Sequence, residues 1–236
     1  MVSEAIILSG GKGKRLRSIT MDEIPKGLAR VKDKTILEWE IEWLAREGVN
    51  HVILALGHLA NIIVEKLGNK INTKYNSVDI SYSVEKEKLG SGGAVKQAAS
   101  FVNGDKFLII NGDILTNSSL DSMNDLHVET NALATMFLIK MRSPYGVVTY
   151  NDKLITQFLE KPLLDVYIHG GVDIIEKSMV HRFPDKGQME ETIFLDLVKE
   201  NRFAAYRAGD HVFWNSIDSE KDFDNANLSW PGLEKR

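Results

Sequence analysis

The sequence predicts an α/β fold: a Rossmann-like, mostly parallel sheet flanked by helices, with a small antiparallel β-rich portion in the second half. Three observations predict it. Through the first half, short apolar runs alternate with segments of helical period, a pattern that parallel strands with crossover helices produce. In the second half, apolar runs follow one another closely, which is the spacing of antiparallel strands. With 236 residues, 43% of them hydrophobic and none cysteine, the chain can fill a large core without disulfides or thiolate-bound metal.

Taken in order, "AIILS" is a strand that runs into the glycine-rich stretch "GGKGKR". In "TILEWEIEWLAREG", Leu37, Ile41 and Leu44 share one helical face, Glu38, Glu42 and Arg46 point elsewhere, and Gly48 ends the helix. The same alternation continues through "HVILALG", "LANIIVEKLG", "DISYSVE", "SGGAVKQAASFV" and "FLIING". Then "ALATMFLIK", "YGVVTYN", "ITQFLEK" and "IHGGVDII" read as strands of an antiparallel lobe, and helices return at "EETIFLDLVKEN" and "SEKDFDNANL". With no repeat, low-complexity tract or Pro/Gly/Ser-rich linker, residues 1–236 are expected to form a single domain.

A formal charge of -4 argues against a nucleic-acid binder, which needs a basic excess spread over one face. No apolar run approaches the length of a membrane span, and "MVSEAIILSGG" lacks a basic leader followed by a long apolar region. A cytoplasmic protein with no membrane partner is the expectation.

The stretch "ILSGGKGKRLRSIT" concentrates positive charge around glycines. Glycine at a turn after a strand lets backbone N–H groups approach phosphate oxygens, and neighbouring Lys and Arg add charge where oxyanions gather. Taken alone, the same residues also suit a solvated turn. A Walker loop would need Ser or Thr where Arg15 stands, and a dinucleotide fingerprint would need glycine where Leu16 stands. Farther on, "FLIINGDIL" sets Asp113 just past a glycine at a strand's carboxyl end, where open α/β sheets place ligands. An ordinary turn would use the same residues.

The run "LSGGKGKRLRSITMDEIPKGLARV" resembles the signature of the sugar-1-phosphate nucleotidylyltransferases, roughly L-x-G-G-x-G-x-R-L, a spacer, then P-K-P-L-x-x-V. The resemblance continues in the family's order through "EKLGSGGAVKQA", "NGDIL", "YGVV", "FLEKP" and "HGGVDII", and is strongest to the mannose- and heptose-1-phosphate guanylyltransferases. It implies transfer of a nucleoside monophosphate from a nucleoside triphosphate to a sugar 1-phosphate, with release of pyrophosphate and with Mg2+ as cofactor. The implied partners are those two small molecules. A homo-oligomer is left open.

By that resemblance, residues 1–130 mainly bind nucleotide and 131–236 mainly bind the sugar phosphate. Leu8, Ser9, Gly10, Gly11, Lys12 and Gly13 wrap the triphosphate, Arg15 and Lys26 stabilise the departing pyrophosphate, Gly90 and Ser91 lie by the nucleobase, and Asp113 binds the metal. Gly27 stands where the family usually has its second proline, a local loosening. Ser216 stands where the second metal carboxylate would be expected. Asp218, two residues on, is the replacement on the same side of a strand, or else the cap of the following helix.

Glu85 stands where relatives that use uracil or thymine commonly have Gln. An ionised carboxylate only accepts hydrogen bonds, which suits the N1–H and exocyclic amine of guanine. A solvated strand end among "EKEK" is the alternative. On the sugar side the resemblance implies Gly146 for backbone contact, Glu160 for ring hydroxyls and Lys161 for the phosphate. His169 replaces a commonly hydroxyl-binding Asn. His58 is expected only to pack or to cap the helix after "LALG", and the "LSWPGL" tail to dock on a partner or on its own body. The end of the chain predicts one activity, without an appended left-handed helix domain. The runner-up readings are a uridylyl- or thymidylyltransferase for glucose-type sugars and a non-catalytic nucleotide-sugar-binding subunit.

Overall fold

The computed structural model describes residues 1–234. The first half runs through β1 (Glu4–Ser9), α1 (Arg17–Thr20), the ribbon strands β2 (Arg30–Val31) and β3 (Lys34–Thr35), α2 (Ile36–Arg46), β4 (His51–Leu56) and α3 (Ala60–Leu67). It continues with β5 (Lys70–Asn72), β6 (Ser77–Val84), α4 (Gly90–Ala98), β7 (Lys106–Asn111), β8 (Ile114–Thr116) and α5 (Asp121–Glu129). Beyond these lie β9 (Ala134–Arg142), the hairpin β10 (Val147–Asn151) and β11 (Leu154–Leu159), β12 (Leu163–Glu176), α6 (Ile193–Lys199), β13 (Phe203–Arg207), β14 (Trp214–Ser216) and α7 (Glu220–Ser229).

The central sheet has eight strands in the order β13-β9-β12-β7-β1-β4-β6-β5. Strands β7, β1, β4 and β6 pair in parallel, while β12 runs antiparallel to both of its neighbours. The continuous apolar runs of the inner strands follow from burial on both faces. Ile7, Leu54, Leu108 and Ile110 join a core with α2 and α3, whereas Ile6, Ile53, Phe107 and Ile109 join a second core with α4 and α6. Alternate side chains of one strand thus serve opposite layers. Each such side chain contributes about 1.5–3 kcal/mol by leaving water. The parallel strands end together, and the loops that follow β1 and β7 form the candidate site.

Three of the second-half strands, β9, β12 and β13, extend the central sheet, whereas β10 and β11 form a two-stranded pair of their own and β14 pairs with β8. Strand β12 changes register between His169 and Asp173. Gly171 has φ 73 there, and a Cβ on Gly170 would meet Phe137 at 2.5 Å, so "HGG" is a local demand of this bend.

Helix α2 starts on a capping box in which Thr35 and Glu38 exchange side-chain and backbone hydrogen bonds, which accounts for Glu38 facing away from the core. The expectation for Glu42 is corrected: it is buried, paired with Lys34 and, at 3.5 Å, with Lys74. The tail closes on its own body, with Trp230 buried edge-on against Trp39 and Phe213 at centroid distances of 5.5 and 5.0 Å. Among the described residues no helix is long and apolar enough to cross a membrane.

Candidate active site

At the end of β1 the chain turns through Gly10, Gly11 and Gly13. Gly13 adopts φ 58, a left-handed conformation that glycine takes without steric cost, before the short helical turn Lys14–Leu16. The loop after β7 is tied to β1 by a hydrogen bond from the Gly112 N–H to the Leu8 carbonyl, 2.9 Å. A Cβ at Gly112 would lie 2.8 Å from that oxygen, so glycine lets the two strand ends touch. Asp113 follows directly.

Four side chains from distant segments meet here. Lys26 Nζ lies 2.6 Å from Asp113 Oδ2 and 3.3 Å from Asp218 Oδ1. Arg15 Nη2 reaches the same Asp218 oxygen at 3.0 Å. Burial alone would raise the Asp218 carboxyl, but the Lys26 charge, the Ser216 hydrogen bond and Arg15 together hold it below the usual carboxylate range. Asp218 is not a helix cap. Ser219 caps α7, in a box with Asp222, which frees Asp218 to face the cluster. Ser216 donates its hydroxyl to Asp218 Oδ2 at 2.9 Å and so orients the carboxylate.

These residues line a cavity of about 240 Å³ together with Leu8, Ser9, Gly11, Gly13 and Lys14. A larger cleft of about 810 Å³ shares Leu8, Gly11, Gly13 and Lys14 with it and adds Gly10, Lys12, Glu85, Gly90 and Ser91. The structure therefore brings Leu8 to Gly13, Arg15, Lys26, Glu85, Gly90, Ser91, Asp113 and Asp218 onto one continuous depression. Glu85 is half-buried, and its Oε2 accepts from the Leu89 N–H at 3.2 Å. His58 lines the larger cleft; the N-cap position of α3 is Leu59, with no side-chain cap, so of the two roles expected of His58, packing or capping, capping is not met.

Gly27 is also corrected. It is buried, and a Cβ would sit 2.7 Å from Leu37 Cγ and 3.1 Å from Ser9 Oγ, so this position is close-packed, not loosened.

The remaining candidates lie elsewhere. Gly146, Glu160 and Lys161 gather at the base of the β10–β11 hairpin: Lys161 Nζ is 3.4 Å from Glu160 Oε1, and Glu160 Oε2 lies 3.2 Å from the position a Gly146 Cβ would take. His169, on β12, has Nε2 2.9 Å from the buried Asp173 of the same strand and its ring edge-on to Phe194 of α6. Burial would lower the His169 imidazole, but the hydrogen bond and charge of Asp173 overcome this and raise it.

Two residues escaped the sequence reading. Glu40, on α2, is fully buried; its Oε1 accepts from the Ile114 N–H at 3.0 Å, and Oε2 has no partner among the described residues. Burial, reinforced by the Asp113 charge, pushes this carboxyl well above its ordinary value. Its signal was present, since position 40 shares the apolar face with Leu37, Ile41 and Leu44. Gln188, from the segment before α6, lines the larger cleft, and nothing local in the sequence marks it.

Lys26 separates two hard oxygen donors. A pair of carboxylates facing one cationic centre, with no third carboxylate or imidazole grouped with them among the described residues, fits Mg2+, which takes a few protein oxygens and completes its shell with phosphates and water.

The Nucleotidyl transferase family model matches residues 4–227. The chain is 37% identical to a D-glycero-alpha-D-manno-heptose 1-phosphate guanylyltransferase of Aneurinibacillus thermoaerophilus over 75% of this chain and 76% of that protein. It is 32% identical to the mannose-1-phosphate guanylyltransferase catalytic subunit beta of Xenopus tropicalis over 93% of this chain but 62% of that one, so it spans under two thirds of the latter's length. The crystal structure of HddC from Yersinia pseudotuberculosis complexed with GMP-PN superposes with a TM-score of 0.72 at 26% identity, covering 97% of this chain and 100% of that one.

Proposed function

The chain belongs to the nucleotidyl transferase family, and on that premise we propose that it transfers a guanylyl group from GTP to a mannose- or heptose-type sugar 1-phosphate, releasing pyrophosphate. The observation that carries this reading is the Lys26 ammonium set between Asp113 and Asp218, with Arg15 on the same carboxylate, at the mouth of the glycine loop. A protein that merely bound nucleotide-sugar would have no use for cations gathered where pyrophosphate departs.

In this reading the backbone of Gly10 to Gly13 holds the triphosphate. A phosphate oxygen of the sugar 1-phosphate attacks the α-phosphorus in line, while Lys26 and Arg15 neutralise charge on the leaving pyrophosphate. Asp113 and Asp218 would hold Mg2+, which when bound supplies positive charge to the phosphate oxygens. Asp218 takes the place of the carboxylate missing at Ser216. Glu85 accepts from the guanine N1–H and 2-amino group, in keeping with the guanylyltransferase relatives. Glu160 and Lys161, beside Gly146, take the sugar hydroxyls and its phosphate, and His169, held by Asp173, borders that side. The whole chain acts as one nucleotidyltransferase unit, working in the cytoplasm, with residues 1–130 mainly on the nucleotide and 131–236 mainly on the sugar phosphate.

Pyrophosphate release with Mg2+, GTP, UTP, dTTP, CTP or ATP, and a panel of sugar 1-phosphates tests the proposal. Turnover is expected with GTP and a manno-configured sugar 1-phosphate. Preference for UTP or dTTP with glucose 1-phosphate would move the reading to that class, and silence across the panel would favour a non-catalytic binding subunit.

A further inference from the structure

We infer that Gln188 is a second base-reading residue, donating a hydrogen bond from its side-chain amide to O6 of the purine. This inference rests on the guanine reading above. Glu85 accounts only for the donors of the guanine edge. The neighbouring O6 is an acceptor, and leaving it unmatched in a desolvated cleft costs affinity.

Gln188 lines the same cleft as Glu85, Gly90 and Ser91. The orientation of its amide is fixed: Oε1 accepts from the Ser91 backbone N–H at 3.0 Å, so the NH2 group must be the other end. The Ser91 hydroxyl lies 2.9 Å from the same Oε1 and 2.6 Å from Glu190 Oε2, and in turn accepts from the Met189 N–H at 3.0 Å. Nε2 makes no hydrogen bond among the described residues, and so it is available to a ligand.

Glu85 and Gln188 are also coupled through one turn. Glu85 Oε2 accepts from the Leu89 N–H, the Leu89 carbonyl accepts from the Gly187 N–H at 2.8 Å, and the Gly187 carbonyl accepts from the Gly92 N–H at 3.0 Å. A Cβ on Gly90 would lie 2.5 Å from the Gly187 oxygen, so the two segments are in direct contact. An acceptor from the end of β6 and a donor from the segment before α6 are thereby held to the same residues, 89–92. Guanine, which presents two donors beside one acceptor, matches this pair, whereas adenine presents a donor at C6 and an acceptor at N1.

The test compares kcat/KM for GTP, 6-thio-GTP, whose sulfur is a poor acceptor, and ITP, which lacks the 2-amino group, in wild type and in Gln188→Ala, Gln188→Glu and Glu85→Gln. Wild type should favour GTP over 6-thio-GTP by about tenfold. Gln188→Ala should lower GTP to the 6-thio-GTP level while leaving the GTP-to-ITP ratio unchanged. Gln188→Glu, which keeps an acceptor for Ser91 but turns a second acceptor toward O6, should lose about 100-fold on GTP. Glu85→Gln should instead collapse the GTP-to-ITP ratio. If wild type does not prefer GTP among the natural triphosphates, the guanine reading falls and this inference with it. If wild type prefers GTP but either Gln188 variant keeps the wild-type GTP-to-6-thio-GTP ratio, or Gln188→Ala weakens both nucleotides alike, Gln188 only braces the turn and the inference is overturned.

Discussion

The proposed nucleotide side and the proposed sugar side of this molecule are built to different standards. On the nucleotide side, the glycine loop and Asp113 follow the ends of β1 and β7, central strands buried on both faces, and Lys26, Asp218 and Arg15 interlock with Asp113 there. On the sugar side, Gly146, Glu160 and Lys161 sit at the base of a hairpin that pairs with no other strand, whose Tyr150, Leu154, Ile155 and Phe158 are exposed. An isolated two-stranded pair is marginally stable. In the proposed reading the triphosphate is thus handled by the rigid scaffold, and selection of the sugar falls to a part that can change without disturbing it.

Substitutions should divide along the same line. The largest loss is expected for Lys26→Ala, about 1,000-fold in kcat/KM for pyrophosphate release, because it removes the charge that answers the leaving group and leaves two carboxylates facing each other. Next, Asp218→Asn should cost about 100-fold and raise the Mg2+ concentration needed for half-maximal rate, an effect read directly from a metal titration. On the other side of the comparison, Glu160→Ala should raise KM for the sugar 1-phosphate by about 10- to 30-fold while KM for GTP stays constant. An equal rise in both would erase the distinction drawn here.

The smallest effect concerns stability and sharpens what holds the nucleotide side in place. Burial raises the folded-state value of Glu40 above its unfolded value, so its favourable contribution is complete below the ordinary carboxylate range near 4.3 and fades as pH rises from there toward the raised value. Glu40→Gln, which keeps an acceptor for Ile114, should therefore raise Tm at pH 8 and leave it nearly unchanged at pH 4. Thermal unfolding at the two pH values checks this.

The alternation of strand and helix was legible because both faces of the inner strands are covered, and a continuous apolar run such as "FLIIN" suits a strand covered on both faces. Asp113 was legible from its place just past a glycine at a strand's carboxyl end, where open α/β sheets gather ligands, and Arg15 from the family signature that runs through it. What the sequence hid depends on long-range partners. Glu42 reads as a solvated helix residue until Lys34 and Lys74 arrive to neutralise it. Gly27 looks permissive until Leu37 and Ser9 close on it. Gln188 gains meaning only when its segment folds back on Ser91. The ambiguity at Asp218 could have been resolved, since Ser219 followed three residues later by Asp222 is the pattern of a capping box.

The central claim is that Arg15, Lys26, Asp113 and Asp218 act on one triphosphate. A crystal grown with GTP and Mn2+, examined for anomalous scattering, measures it most directly. The account predicts a manganese peak bound by both Asp113 and Asp218, with the triphosphate oxygens against Lys26 and Arg15. Manganese bound away from these carboxylates, or a triphosphate that approaches neither cation, would contradict it.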